Sequence, residues 1–255
     1  MSWNELNILK SLPPHPNIIP FDRVVLEDKE SRVIGFTTKY IPGGTLDNLE
    51  IPFRFELLQQ LTQVVDFLNL ELGIMHQDIA PRNLLIDPCT HKIVIFDFDR
   101  AASISEKKHL YKGRDDVAGV AFTLYELVTN DASFSAIHHL DRNIDMVQSL
   151  EWTSTRELDS EPSKFRNFLN EWVARRSSKD MEQCSGNAPH QLTWPDLPTA
   201  PDYSVPFEMG TFCGKPQWLT GIRSRRTAMD LGQYCFRWER PPQSRLLKMT
   251  EHGVK

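Results

Sequence analysis

Eight consecutive residues concentrate the reactive side chains of this sequence: His76-Gln77-Asp78-Ile79-Ala80-Pro81-Arg82-Asn83. Asp78 and Asn83 stand five positions apart in a stretch broken by Pro81, so a loop can bring them to one point. Asp97 follows fourteen residues after Asn83, at the end of the apolar run Ile93-Val94-Ile95-Phe96, with Phe98 next. A carboxylate leaving a buried strand can face the other two groups. Three oxygen-bearing side chains around a cleft suit Mg2+ and a polyphosphate, since the phosphates supply the remaining hard ligands. On that reading Asp78 is the base or orienting group, and Asn83 and Asp97 are metal ligands. Taken singly, each residue reads as a turn former or a helix cap. The ordered set is what points to chemistry.

Periodicity supplies the elements around this set. Residues 5–11, with Trp3, Leu6, Leu9 and Leu12 on one face, predict a short helix stopped by Pro13-Pro14. Residues 18–26 and 32–40 read as two strands around a polar turn. Pro42-Gly43-Gly44 breaks the pattern, and Thr45 then suits the N-cap of a short helix over 46–49. A long helix is predicted over 52–72, with Leu57, Leu58, Leu61, Val64, Val65 and Leu68 inward and Gly73 at its stop. A buried strand over 92–98 follows, then helices over 116–129 and 165–175.

Composition bounds the rest. The chain has 255 residues, 40% apolar and 25% charged, which is one ordinary domain, with at most an appendage. It is not a disordered chain or a disulfide scaffold. The net charge of −5 carries no duplex nucleic acid footprint, so no nucleic acid partner is expected. Every apolar run stops well short of the ~18 residues of a membrane span, so no membrane partner is expected either. No basic-then-apolar leader opens the sequence. Cys89, Cys184, Cys213 and Cys235 are far apart and read as reduced thiols, which favours the cytoplasm, with the nucleus as alternative. Six of the 17 prolines crowd between Pro189 and Pro216, so residues 176–221 read as a Pro-rich irregular segment. Residues 222–255 read as a basic helix and tail, with seven Lys/Arg against two acids between Arg223 and Lys248.

The ordered motifs resemble the eukaryotic protein-kinase superfamily, whose catalytic loop H-R-D-x-x-x-x-N leads through a strand to D-F-G. Here His76-Gln77-Asp78…Asn83 and Asp97-Phe98-Asp99 match in order and spacing. Glu5 to Leu12 followed by His15-Pro16-Asn17-Ile18 resembles the helix with the family's ion-pairing Glu and its H-P-N-I turn. Thr38-Lys39-Tyr40-Ile41 resembles the adenine-binding hinge, with Thr38 as gatekeeper, and Leu85 matches the floor of the adenine pocket. Asp116-Val117 and Leu124-Tyr125-Glu126-Leu127 resemble the central large-lobe helix. The resemblance implies an α+β, two-lobe, protein-kinase-like fold over 1–175. A partial small lobe would take 1–41 and a mainly helical large lobe 45–175. It implies ATP and Mg2+ as cofactors and a protein substrate or protein partner. Asp78, Arg82 and Asn83 would be catalytic. Glu5, Thr38, Lys39, Ile41 and Leu85 would lie on the nucleotide, and Asn83 and Asp97 on the metal. Arg82, in Asp-Ile-Ala-Pro-Arg-Asn, matches the phosphate-contacting Arg of tyrosine kinases. Leu9, Phe21, His76 and Phe98 match the apolar column through both lobes, and Asp116 matches the carboxylate that holds the catalytic-loop backbone.

The departures carry expectations too. Only four residues precede Glu5, so the sequence holds no Gly-rich loop and no strand Lys ahead of it, and an abbreviated small lobe is expected. Gln77 stands in place of the family's Arg, which docks a phosphate on the activation loop, so activation by that route is not expected. The stretch from Asp97 to Asp116 is about half the family's length, and Asp99 replaces Gly. The expected function is an ATP/Mg2+ phosphotransferase of impaired activity. The alternatives are an inactive pseudokinase that serves as a binding module, or a small-molecule kinase.

Overall fold

The computed structural model describes residues 3–26, 33–48, 52–154, 156–178 and 187–194, together with the backbone of 204–212 and 215–222. Two compact units divide the chain: Met1–Val25 with Ile34–Pro195, and Leu26–Val33 with Asp196–Lys255.

The first unit opens with helix α1 (Trp3–Ser11), which buries Leu6, Ile8 and Leu9. Strands β1 (Phe21–Leu26) and β2 (Val33–Thr38) pair as a two-stranded sheet. Between α1 and β1 the His15-Pro16-Asn17-Ile18 turn ties this region to the chain below. Asn17 Nδ2 donates to Ile93 O at 2.8 Å, Ile95 N–H to Asn17 O at 2.9 Å and Ile19 N–H to Ile95 O at 3.0 Å. Residues 46–48 form a turn rather than the expected helix. Thr45 makes an antiparallel bridge to Leu85 and Leu46 N–H donates to Leu84 O, so these backbone groups are already spent on the sheet.

Helix α2 (Phe55–Asp66) buries Leu57, Leu58, Leu61, Val64 and Val65, the stripe that the three-four spacing demands. Pro52 stays outside it. The first helical N–H, that of Phe55, is capped by the Asp159 carboxylate at 2.8 Å from far along the chain. The last turn, Phe67–Glu71, widens into a π-turn and ends at Gly73, whose φ of 65° suits a residue without Cβ. The π-turn leaves Asn69 1% exposed and turned toward the site.

Four short strands then set the loops. β3 (Ile74–Met75) pairs antiparallel with β6 (Ala102–Ser103), and β4 (Leu84–Asp87) with β5 (Lys92–Ile95), Leu84 lying opposite Ile95. Helix α3 (Asp116–Thr129) starts where the Asp115 carboxylate accepts from Val117 and Ala118 N–H, and stops at left-handed Asn130. Short α4 (Asp145–Gln148) and α5 (Pro162–Arg176) complete the unit. Phe165 and Phe168 of α5 meet Phe55 edge-on, and Trp172 and Arg176 both reach the Asp66 carboxylate. One apolar core runs through α1, α2, α3, α5 and the β4–β5 hairpin. No described helix is long and apolar enough to cross a membrane.

In the second unit, β7 (Ser204–Phe212) pairs antiparallel with β8 (Lys215–Ile222) across a two-residue connection. The sequence reading treated this stretch as irregular because of its prolines. Their positions explain the difference. Pro206 sits beside a register shift at 206/208 and Pro216 near the strand start, where a missing N–H is tolerated. The expected basic helix, residues 223–255, lies outside the described residues.

Gly119 lets α3 approach the loop of residues 76–83. A Cβ there would stand 2.9 Å from Ile79 Cβ and 3.3 Å from Ile79 O. In an open helix Gly→Ala gains up to about 1 kcal/mol. Here the sign is expected to reverse, with Gly119→Ala losing about 1–3 kcal/mol to overpacking. Denaturant midpoints of the two proteins check this.

Candidate functional site

The two strand pairs decide which side chains meet. Because β4 and β5 run antiparallel, the residues just before Leu84 and just after Ile95 lie side by side, and Phe96 N–H donates to Asn83 O at 3.2 Å. The β4–β5 hairpin therefore carries Asn83 on one arm and Asp97 on the other. In the same way β3 and β6 set Met75 opposite Ala102, which brings the His76-Gln77-Asp78 loop beside Arg100. Backbone strain marks both loops: Gln77 and Asp97 each have φ of 64°. Non-glycine residues occupy that region at a cost and need surrounding bonds to hold them.

For the loop at Gln77, those bonds come from Asp116. Its carboxylate is 1% exposed and accepts from His76 N–H (2.8 Å), Gln77 N–H (2.7 Å) and Asn69 Nδ2 (2.8 Å). Burial pushes its pKa up to about 6, while the three N–H donors work the other way. The His76 ring lies edge-on to Phe98 at 4.8 Å. Its Nδ1 faces the Asp78 N–H at 3.3 Å and its Nε2 faces Phe96 O at 3.0 Å. An N–H can only donate, so Nδ1 accepts and the proton sits on Nε2. Burial holds this imidazole below the usual histidine range, hence neutral. Leu9 and Phe98 are buried in the common core, and Phe21 is half-buried against it.

Asp78 is the most heavily partnered of the candidate residues. Oδ1 accepts from Arg82 Nη2 at 2.6 Å and from Arg114 Nη1 at 2.9 Å, Oδ2 accepts from Asn83 Nδ2 at 3.0 Å, and Arg100 Nε stands 4.0 Å from Oδ2. Burial raises its pKa, but the Arg82 guanidinium and the Asn83 amide more than offset that, so Asp78 stays ionised below the ordinary range. Burial and the nearby Arg114 and Arg82 in turn draw Arg142 below its usual value. The Asp78 side of the site is thus rich in positive charge.

The opposite side is acidic. Burial first, and then the repulsion of Asp99, raise the Asp97 pKa. Burial and the same two carboxylates raise that of Glu5 on α1, which also faces the Phe98 backbone N–H. The structure thus brings Glu5, Asp97 and Asp99 within electrostatic reach of one another, and Asp97 within that of Asp78. Asn83 spends Nδ2 on Asp78 O and Oδ2, which turns its amide oxygen away from Asp78. That oxygen and the Asp97 carboxylate are hard donors of the kind Mg2+ takes. Among the described residues no three His, Cys, Asp or Glu side chains form a protein-only cage.

Thr38 is half-buried, Lys39 exposed and Ile41 in the core. The Lys39 N–H donates to Pro20 O at 3.0 Å. Leu85 packs half-buried against the core, bridged to Thr45. A cavity of about 310 Å³ behind Pro42 and Gly43, lined also by Leu57, Ile86 and His91, contains none of the candidate residues. The convergence of charged groups, rather than that concavity, marks the site. Sequence reasoning missed Arg100, Arg114 and Asn69. Arg114 stands directly before the Asp115-Asp116 pair, which was the one signal available for it.

Residues 1–116 match the protein kinase domain family. A similar protein is the alpha' subunit of casein kinase II from Saccharomyces cerevisiae, 29% identical over 103 residues. That alignment covers 39% of this chain and 30% of the relative, so the chain spans under a third of the length of the curated relative it matches. Residues 1–116 are thus similar to the protein-kinase-like superfamily, and the α+β arrangement of helices and small antiparallel sheets fits that fold. The match ends at Asp116, whose carboxylate holds the His76 and Gln77 N–H groups.

The raised pKa of Asp116 gives a signed pH dependence. The folded state favours its protonated form, so the stability this group contributes is full below the unfolded value of 3.8 and is lost as pH rises through about 6. The loss is on the order of 3 kcal/mol. The Asp116 carboxyl carbon is expected to titrate near 6 by NMR, and Asp116→Asn to flatten the decline in unfolding free energy between about pH 4 and pH 6.

Proposed function

We propose that the chain carries a phosphotransfer site of protein-kinase type. In this reading Asp78 orients the acceptor hydroxyl, Arg82 contacts the transferred phosphoryl group, and Asn83 and Asp97 hold Mg2+. The observation that supports it most is the β4–β5 hairpin, which sets Asn83 bonded to Asp78 on one arm and Asp97 on the other. Mg2+-bound ATP would supply the phosphoryl group and neutralise its charge. The chain's own residues do the remaining work. Neutral His76 supports the Asp78 backbone through Nδ1, and Asp116 fixes the loop. Asp78, ionised well below neutral pH, can accept a hydrogen bond from a hydroxyl throughout the physiological range. Glu5, Thr38, Ile41 and Leu85 would lie along the nucleotide, with the Lys39 carbonyl rather than its N–H available to adenine.

A second reading, a non-catalytic binding module, rests on a different observation. Arg82 and Arg114 both bond the same oxygen of Asp78, where a substrate hydroxyl would dock. The guanidinium groups nearest the site are then committed to Asp78 instead of to phosphate. For the 255-residue chain by itself, this predicts slow transfer and a modest nucleotide affinity.

Calorimetry with Mg-ATP is expected to give a Kd weaker than about 1 µM, that is, less than about 8 kcal/mol. Binding should weaken when Mg2+ is withheld, and Asp97→Asn should remove that Mg2+ dependence. No nucleotide binding with or without Mg2+ would leave the binding-module reading. Turnover lost on Asp78→Asn would establish the phosphotransferase.

A further inference from the structure

Gln77 occupies the position where the family has an arginine, and its side chain has a task of its own. Its Nε2 donates to Arg100 O at 2.7 Å and to His109 O at 3.1 Å. Its Oε1 accepts the Tyr111 N–H. Both amide protons and the amide oxygen are thereby used, and all three partners are backbone groups of the segment between Asp99 and Asp115. The main chain of Gln77 is spent as well: its N–H goes to Asp116 Oδ1 at 2.7 Å and its C=O faces Arg114 Nη1 at 3.4 Å. With 2% exposure and left-handed φ, this is a polar residue held where it is by full satisfaction of its hydrogen-bonding groups.

We infer that Gln77 is a positioning residue that staples the segment from Arg100 to Arg114 into one conformation with uncharged hydrogen bonds, so the segment is ordered without a phosphate. A guanidinium at this position has five donors and no acceptor, and could not receive the Tyr111 N–H. It needs an anion to complete it. A carboxamide has both donors and an acceptor and needs only backbone. The start of the segment is held independently, by the β3–β6 pairing and by Ile104 N–H to Gly73 O at 2.8 Å. Beyond it, Lys107, Lys108, His109, Tyr111 and Lys112 are exposed. The Gln77 amide fastens this exposed stretch at His109 and Tyr111, and so delivers Arg114 to Asp78 at 2.9 Å. What that does for Asp78 rests on the phosphotransfer reading above. The ordering of the segment does not, and the test reads the ordering.

The full 255-residue chain is treated or not treated with phosphatase and digested briefly with trypsin. Cleavage after Lys108 and Lys112 is followed by mass spectrometry, with amide hydrogen exchange read alongside. The wild type should be cut slowly at both bonds, at the same rate after phosphatase. Gln77→Met, of similar shape but without the three bonds, should be cut about tenfold faster or more. Exchange in α2 and α3 should be unchanged, which separates local release from a general loss of stability. Should Gln77→Met fold poorly, Tyr111→Pro decides. It removes the N–H given to Gln77 and, with it, a ring at a residue 58% exposed, and Leu110 before it already has the extended ψ of 120° that a following proline requires. It too should be cut faster. Faster cleavage of the wild type after phosphatase, or both variants cut at the wild-type rate, would overturn the inference.

Discussion

The carboxylate of Asp116 is the contact on which the rest of the site depends. It is buried at the start of α3 and takes three N–H groups from three places: the π-turn that ends α2 and two successive residues of the catalytic loop. A buried carboxylate without such donors would be untenable, and a left-handed loop residue without such an acceptor would relax. Each cost is met by the other's need. The irregular end of α2 belongs to the same arrangement, because a regular helix would not turn Asn69 toward that carboxylate. Arg176 then occupies the other end of the Asn69 amide at 2.8 Å, which links the C-terminus of α5 to the same network.

Around this anchor the charges segregate. Guanidinium groups gather at Asp78, with Arg100 Nε 4.0 Å from both Asp78 Oδ2 and Asp99 Oδ1, while burial and Asp99 raise the pKa of Asp97, and burial, Asp97 and Asp99 that of Glu5. A polyanion with bound divalent cations fits such a division, the metal taking the acidic side and the oxyanion the basic one. The same division accounts for the second reading. In the protein alone, the positive side satisfies itself on Asp78.

Much of this was legible in the sequence because it rests on local pattern. The α3 boundaries follow from Asp115 as a cap and Asn130 as a left-handed stop, both sequence signals, and the α2 stripe from three-four spacing. The motif order singled out Asp78, Asn83, Asp97 and Asp116; in the structure Asn83 bonds Asp78, and Asp116 bonds the His76 and Gln77 backbone. The rest depends on partners distant in sequence. Capping of Phe55 by Asp159, the use of the Lys39 N–H by Pro20 O and the reach of Arg114 to Asp78 have no local signature. The β7–β8 hairpin escaped notice for another reason. Proline content argues against strands on average, and only the register shows that these prolines fall where they do no harm.

The β4–β5 hairpin has a mechanical consequence. Its closed end, at His91 and Asp87, is an exposed turn, while Asn83 and Asp97 stand at its open end. The spacing between those two residues is therefore set by strand pairing within a single rigid piece and not by the docking of separate pieces. Hinging of the α1 and β1–β2 region would leave Asn83 and Asp97 at the same spacing. A site assembled in this way tolerates large movement above it, and lengthening the turn at residues 88–91 would leave its bite unaltered.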